Sequence, residues 1–378
     1  MHCEPTRRTG AAPRPNGHAG SAPIATFAIL LMLMLAAGVS TRAARMLGQS
    51  SPPPVSATLG GTARVDAARF PSEAPGAPRL LHLPSREWPG GHGAPAEGSV
   101  TWIGEATVLI RSHGMTVLTD PTFLRRGEPA RIVPGLPHRR RSDPAIDIDE
   151  LPPIDLVVLS RLREDHFDRL ARRRLPRDVP IVAPPAARAE LVAMGFTSVN
   201  ALPAWGGLRV ARGDAWLELT ATPTRLGPPG IAALLPASMG TLLAFGGADR
   251  PAARRIWISG DTGIDEALLS ELAPRLADLD LALLHVGGTA VLGFGDSMDV
   301  AGSLRAIARL APRTAIALRL DDFGEEAQQP TPPARARAAH ESQPGPSRVQ
   351  ALERGRSHRF APLQHWALAQ DAPPAAGR

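Results

Sequence analysis

Two acidic segments that follow apolar strands are the places in this chain best suited to chemistry. Gly260-Asp261-Thr262-Gly263 comes directly after Arg255–Ser259, and Ser160–Asp168 comes directly after Ile154–Leu159. Short apolar runs of this kind read as strands buried on both faces. An acid at the tip of such a strand, beside glycine, is how a sheet presents a carboxylate to a metal or a substrate. Asp-Gly turns are common, so the motif is weak alone. His285 ends a later strand, where an ordinary hydrogen bond is expected of it. His113 in a hairpin turn, and Glu164 and Asp168 in a loop, read as surface groups. No Ser/His/Asp nucleophile set and no phosphate-cradling glycine loop stands out.

These segments need elements to position them. Val100–Gly104, Thr107–Ile110 and Met115–Thr119 read as strands, the last two joined across Ser112–Gly114 in a hairpin that runs into Asp120-Pro121. Ile181–Ala183 is a strand, and Ala186–Met194 a helix stopped by Gly195. Further strands are expected near Leu208–Val210, Trp216–Thr220, Thr241–Phe245, Arg255–Ser259, Leu279–Leu284, Thr314–Leu318 and His358–Ala361. Helices are expected at Glu266–Leu276, Val300–Leu310 and about Pro333–His340. Strands first, then alternating helix and strand, mean a layered α/β protein.

The ends differ in composition. Pro 40 and Gly 36 concentrate toward them, while apolar residues at 43% exclude a wholly disordered chain. Arg7, Arg8 and Arg14 precede an apolar run from Ala22 to Val39, roughly 18 uncharged residues at the boundary between a signal-peptide core and a spanning helix. Residues 1–47 are read as a signal anchor or signal peptide, with the anchor favoured. Residues 48–98 are read as a Pro/Gly-rich tether and lead-in, 99–365 as the folded domain and 366–378 as a disordered tail. The positive-inside rule then places the domain in the periplasm or otherwise outside the cytoplasm. The net charge of +6 is carried by Arg alone, and Lys and Tyr are both absent. A bias that removes two unrelated residue types points to nucleotide composition rather than to a nucleic-acid partner. The clusters Arg139–Arg141 and Arg172–Arg174 are read as solvated faces. The single cysteine, Cys3, excludes an internal disulfide framework and any Cys-based zinc site.

In frame, Ser160–Asp168 resembles the signature His-x-His-x-Asp-His of the metallo-β-lactamase superfamily. Val100–Thr107 and Leu118–Pro121 resemble its opening hairpin, Leu151–Leu156 the lead-in to the signature strand, and Ile258–Gly263 the strand bearing its bridging aspartate. Leu279–Leu284 resembles the strand that follows. The matches run in order from about Val100 to Phe323, and the branch they resemble is that of N-acyl-phosphatidylethanolamine phospholipase D and L-ascorbate-6-phosphate lactonase.

The resemblance implies an αββα sandwich with a cleft at one edge. It also implies two divalent metals, typically zinc, whose bridging hydroxide attacks phosphorus or carbonyl carbon. Carried over residue by residue, the pattern keeps Asp165, His166 and Asp261 as ligands, with Asp165 also in the catalytic position. It replaces four ligand histidines by Arg161, Arg163, Leu226 and Arg319; Glu105 and Ser297 stand where relatives often carry histidine. Arginine stays protonated and offers no lone pair. At most one zinc or other divalent metal is therefore expected, and the arginines, pointing inward, would pair with Asp165 and Asp261. Two functions follow as expectations. One is a catalytically degraded, membrane-tethered relative that binds an anionic small molecule or lipid. The other is a mononuclear hydrolase acting on a phosphodiester, lactone or lipid-like substrate.

Overall fold

Successive strand residues face opposite ways, so one strand can serve two cores. In this chain they do. Ile256 and Ile258 pack inward with Leu281, Leu283 and Ile316, while Trp257, Ala282, Leu284 and Ala315 point to the other face. The computed structural model describes residues 79–85, 98–133, 136–227, 237–247, 250–287, 290–291, 294–295, 297–319, 338–339, 345–350 and 352–360. The apolar run Ala22–Val39 and nearly all of Pro333–His340 lie outside them. Among the described residues no helix is long and apolar enough to cross a membrane.

Two sheets carry the fold. The eight-stranded sheet runs Arg79–His82, Gly207–Arg212, Ala215–Thr222, Gly240–Gly247, Arg250–Ile258, Leu281–His285, Thr314–Leu318, Arg348–Gln350. The seven-stranded sheet runs Ser357–Arg359, Ser99–Gly104, Thr107–Ser112, Met115–Thr119, Leu156–Val158, Ile181–Ala183, Val199–Ala201. Their inner faces share one apolar core, in which Val100, Val108, Ile110, Val117 and Val158 meet Leu217, Leu219, Leu243 and Phe245. Helices Glu266–Leu272 and Val300–Leu310 cover the outer face of the larger sheet through Leu268, Leu269, Ala306 and Ile307. Ala171 of helix Arg169–Arg174 and Leu191 of helix Arg188–Ala193 cover the smaller sheet, with Phe167 and Phe196. The order of layers is helix, sheet, sheet, helix: the αββα sandwich that the resemblance implies.

Several expectations need correction. Arg79–His82 forms a parallel edge strand on Gly207–Arg212, inside the segment read as an irregular lead-in. Within Arg139–Arg141, read as a solvated face, Arg140 is buried and donates to Ser142 O and Thr122 O. The helix expected to reach Leu276 ends at Leu272. His113 and Asp168 are buried rather than at the surface. His113 Nδ1 lies 2.9 Å from Ser112 Oγ. Asp168 is a helix cap whose carboxylate accepts from Leu170 N and Ala171 N, and also from Phe123 N and Leu124 N of the preceding loop. Glu164 is mostly buried too, and accepts from Arg131 N at 2.7 Å.

What this topology does for function is to gather strand ends. Met115–Thr119, Leu156–Val158 and Ile181–Ala183 run parallel in one sheet, and Arg250–Ile258, Leu281–His285 and Thr314–Leu318 run parallel in the other. Their C-terminal ends carry Asp120, the Ser160–His166 loop, Asp261, His285 and Arg319.

Candidate functional site

The loop that follows Leu156–Val158 is pinned at both ends. At its start Ser160 donates to Asp120, backbone N to Oδ1 at 2.7 Å and Oγ to Oδ2 at 2.8 Å. At its end the Asp168 cap begins the next helix. Between these anchors Arg161, Arg163, Asp165 and His166 turn inward. Asp261 meets them from the other sheet. It follows Gly260, whose φ is +62° and where a Cβ would stand 2.3 Å from Met239 O, so only glycine lets the chain turn the carboxylate in at this point.

Arg161, Arg163 and Arg319, which stand where the resemblance expects histidines, all aim at carboxylates. Arg161 Nη1 donates to Asp261 Oδ2 at 3.0 Å. Arg163 holds Asp165 in a two-point clasp, Nε to Oδ1 and Nη2 to Oδ2, each 2.5 Å. Arg319 reaches furthest. Its Nη2 donates to Asp165 Oδ2 at 2.9 Å, its Nη1 to Asp261 Oδ1, and its Nε to Glu105 Oε1 at 3.2 Å. Nη1 also lies 2.9 Å from His166 Nε2, and that nitrogen lies 2.9 Å from Asp261 Oδ2. On its far side His166 Nδ1 faces Ser160 Oγ at 3.0 Å and Asp120 Oδ2 at 3.3 Å. Arg163, the least buried of these side chains, is 10% exposed.

Charge explains the protonation states. Burial opposes a charge on His166, but Asp261, Asp165 and Asp120 outweigh it and raise the imidazole to about 9, so the ring is a cation at neutral pH. Burial would likewise raise Asp165, yet Arg163, His166 and Arg319 hold it far below the usual carboxylate range. Asp261 is held down against burial by Arg319 and His166. Formal charges then balance: Arg161, Arg163, Arg319 and His166⁺ against Asp120, Asp165, Asp261 and Glu105, four of each sign.

Asp165, His166, Asp261, Glu105 and the three arginines thus meet in one cluster, and two more residues join them. His285, expected to make an ordinary strand-end hydrogen bond, is fully buried and faces the cluster, its Nδ1 3.5 Å from Asp261 Oδ1; burial lowers its pKa and keeps it neutral. Asp120 was visible only as part of a hairpin end. The available signal was an acid directly after an apolar strand, the same logic that singles out Asp261; in the structure its φ is +39°. Leu226 is buried on a loop held to the Asp261 loop by Gly263 N donating to Arg225 O, and supplies no donor. Ser297 lies beside Met298, whose bridge to Val286 keeps it next to the strand end bearing His285.

Among the described residues two donor sets are close enough to hold a metal ion: Asp165, His166 and Asp261, and Asp120, His166 and His285. The divalent metal that a metallohydrolase fold implies does not fit the first set as it stands. Asp165 and Asp261 are already engaged by guanidiniums, and His166 Nε2 lies 2.9 Å both from Asp261 Oδ2 and from Arg319 Nη1.

A family model described as β-lactamase superfamily domain matches residues 115–318, more than half of the chain. An N-acyl-phosphatidylethanolamine-hydrolyzing phospholipase D of Caenorhabditis elegans is 33% identical over 75 residues, which is 20% of each chain. The curated relatives are matched over a quarter of their length or less. Among solved structures, isothiocyanate hydrolase from Delia radicum gut bacteria has a TM-score of 0.56 at 19% identity, covering 69% of this chain and 98% of that one. A possible metal-dependent hydrolase from Veillonella parvula has a TM-score of 0.56 at 21% identity, covering 70% and 99%. At these identities the likeness is one of fold.

Proposed function

The chain belongs to the β-lactamase superfamily, as the family match over residues 115–318 establishes, and from that premise we propose that it is a catalytically degraded metallohydrolase. In this reading an arginine–carboxylate cluster takes the place of the two metals and holds the fold closed without them. The carrying observation is Arg319, whose guanidinium sits against Asp165, His166 and Asp261 together. Hydrolysis of the family's kind needs a metal-bound hydroxide, and protonated guanidiniums cannot make one. The arginines are already neutralised by carboxylates, which argues against the cluster itself as the seat of an anionic small molecule or lipid. The proposal extends to the N-terminal run Ala22–Val39 as a membrane tether, with the domain outside the cytoplasm.

A second reading keeps one metal on Asp165, His166 and Asp261, acting on a phosphodiester, lactone or lipid-like substrate. The convergence of those three donors favours it. Elemental mass spectrometry on the full chain, purified without chelator, separates the two. The degraded reading expects less than about a tenth of an equivalent of zinc, manganese or iron, and no turnover of phosphodiester, lactone or isothiocyanate probes above a no-protein blank. Close to one equivalent, lost on Asp261→Ala and accompanied by turnover, would establish the mononuclear hydrolase instead.

A further inference from the structure

We infer that Arg319 is the built-in occupant of a divalent-cation seat, so that its guanidinium and a metal ion exclude one another at Asp165, His166 and Asp261. The inference rests on the reading that the resident metals are lost, and names the residue that keeps the remaining donors from taking one.

The donors are still placed for a cation. His166 Nε2 lies 2.9 Å from Asp261 Oδ2 and 3.5 Å from Asp165 Oδ2. Ligand atoms around a zinc-sized ion, each about 2.1 Å from it, stand roughly 3 to 3.5 Å apart. Over this trio lies the Arg319 fork, with Nη1 on His166 and Asp261 and Nη2 on Asp165. The other two arginines touch the same oxygens without spanning the trio: Arg161 Nη1 donates to Asp261 Oδ2 at 3.0 Å, and Arg163 Nη2 to Asp165 Oδ2 at 2.5 Å and Asp261 Oδ2 at 3.5 Å. A carboxylate oxygen has a second lone pair, so the Arg163 clasp leaves Asp165 able to take a further partner.

The backbone points to the same residue. Arg319 has φ +67°, in the left-handed region that a long side chain rarely adopts. Such a conformation persists only where the surroundings over-determine it, and it collects at ligand clamps. Here the contacts to Glu105, Asp165 and Asp261 do the determining. Glycine is at ease at this φ, so Arg319→Gly relaxes the backbone and vacates the seat in one change. The charge left behind suits a divalent ion. Without Arg319, and with His166 deprotonated to offer Nε2, Arg161 and Arg163 face four acids, a deficit of two positive charges.

The test compares the full-length wild type with Arg319→Gly. Each is exposed to Zn²⁺ or Mn²⁺, desalted, and assayed for metal content and thermal midpoint. The wild type is expected to stay empty. Arg319→Gly is expected to retain about one equivalent, and saturating metal to raise its midpoint by on the order of 5 °C. Asp261→Asn in the Arg319→Gly background should abolish both effects, and Arg319→Lys, which keeps a cation in place, should stay empty. If Arg319→Gly does not fold alone, Arg319→Gln keeps the reach without the charge and carries the same expectation; folding only when metal is added supports the inference equally. A folded, metal-free Arg319→Gly beside an empty wild type overturns the masking role alone. Metal retained by the wild type overturns the degraded reading first.

Discussion

Titrating His166 should cost the fold about 3 kcal/mol, and the composition of the chain leaves the pH range for measuring it unusually clean. Asp261, Asp165 and Asp120 overcome burial and raise the imidazole from 6.5 to about 9, whereas the unfolded chain titrates near its ordinary value. The sign follows. Stabilisation by the bound proton is fully present below about pH 6.5, shrinks as pH rises, and is gone above about pH 9. A tenfold difference in proton affinity between folded and unfolded chain is worth about 1.4 kcal/mol. Stability should therefore fall by about 1.4 kcal/mol for each step of one in pH, and by roughly 3 kcal/mol in all. Lys and Tyr are absent, and Cys3 and the α-amino group belong to the first three residues. His285 and His358 are shifted downward by burial, so their effects fall on the acid side. The assay is urea unfolding at intervals from about pH 6 to about pH 10. With an m-value near 3 kcal/mol per molar, the midpoint should drop by about 1 M. A flat midpoint, or a slope of the same size in His166→Gln, would refute a buried imidazolium as part of what holds the cluster.

Two further outcomes test neighbouring parts of the argument. Arg161→Ala removes a fully buried guanidinium from Asp261 and should lower stability by about 3 kcal/mol; an unchanged thermal midpoint would mean that Arg161 does not help to neutralise the site. Removal of residues 1–47 should release the protein from the membrane fraction of an expressing cell into the supernatant, and a full-length chain that is already in the supernatant would remove the tether from the proposal.

Much of the fold was legible because its central strands are apolar on both faces. Thr314–Leu318 and Val300–Leu310 end where the sequence places them, the first buried throughout and the second amphipathic with an Asp299 cap. What was not legible is made by pairing rather than by pattern. Arg79–His82 is short and mostly exposed, and becomes a strand only because Gly207–Arg212 lies beside it. The hairpin Pro129–Arg139 contains prolines that argue locally against strands. At the site, the arginines were readable in register with the signature they resemble, but the direction of a long, flexible side chain was not. Arg319 is fixed by Glu105, 214 residues earlier, and Asp168 is buried by a loop it caps from 44 residues away. No local property of either residue announces such partners.

The charge count also limits what the site can hold. Two divalent metals would bring about four positive charges to these acids, and three arginines with a protonated histidine bring the same number. The cluster is thus neutral in the sum, and a buried cluster with no net charge avoids the several kcal/mol that an uncompensated buried ion costs. Adding one metal to the intact cluster breaks that balance. Even with His166 deprotonated, three guanidiniums and a divalent ion would carry five positive charges against four acids, in an interior that cannot screen the surplus. A metal can therefore enter only as an arginine leaves. Arg319 is the one that spans all three donors, and glycine in its place relieves the backbone conformation it holds.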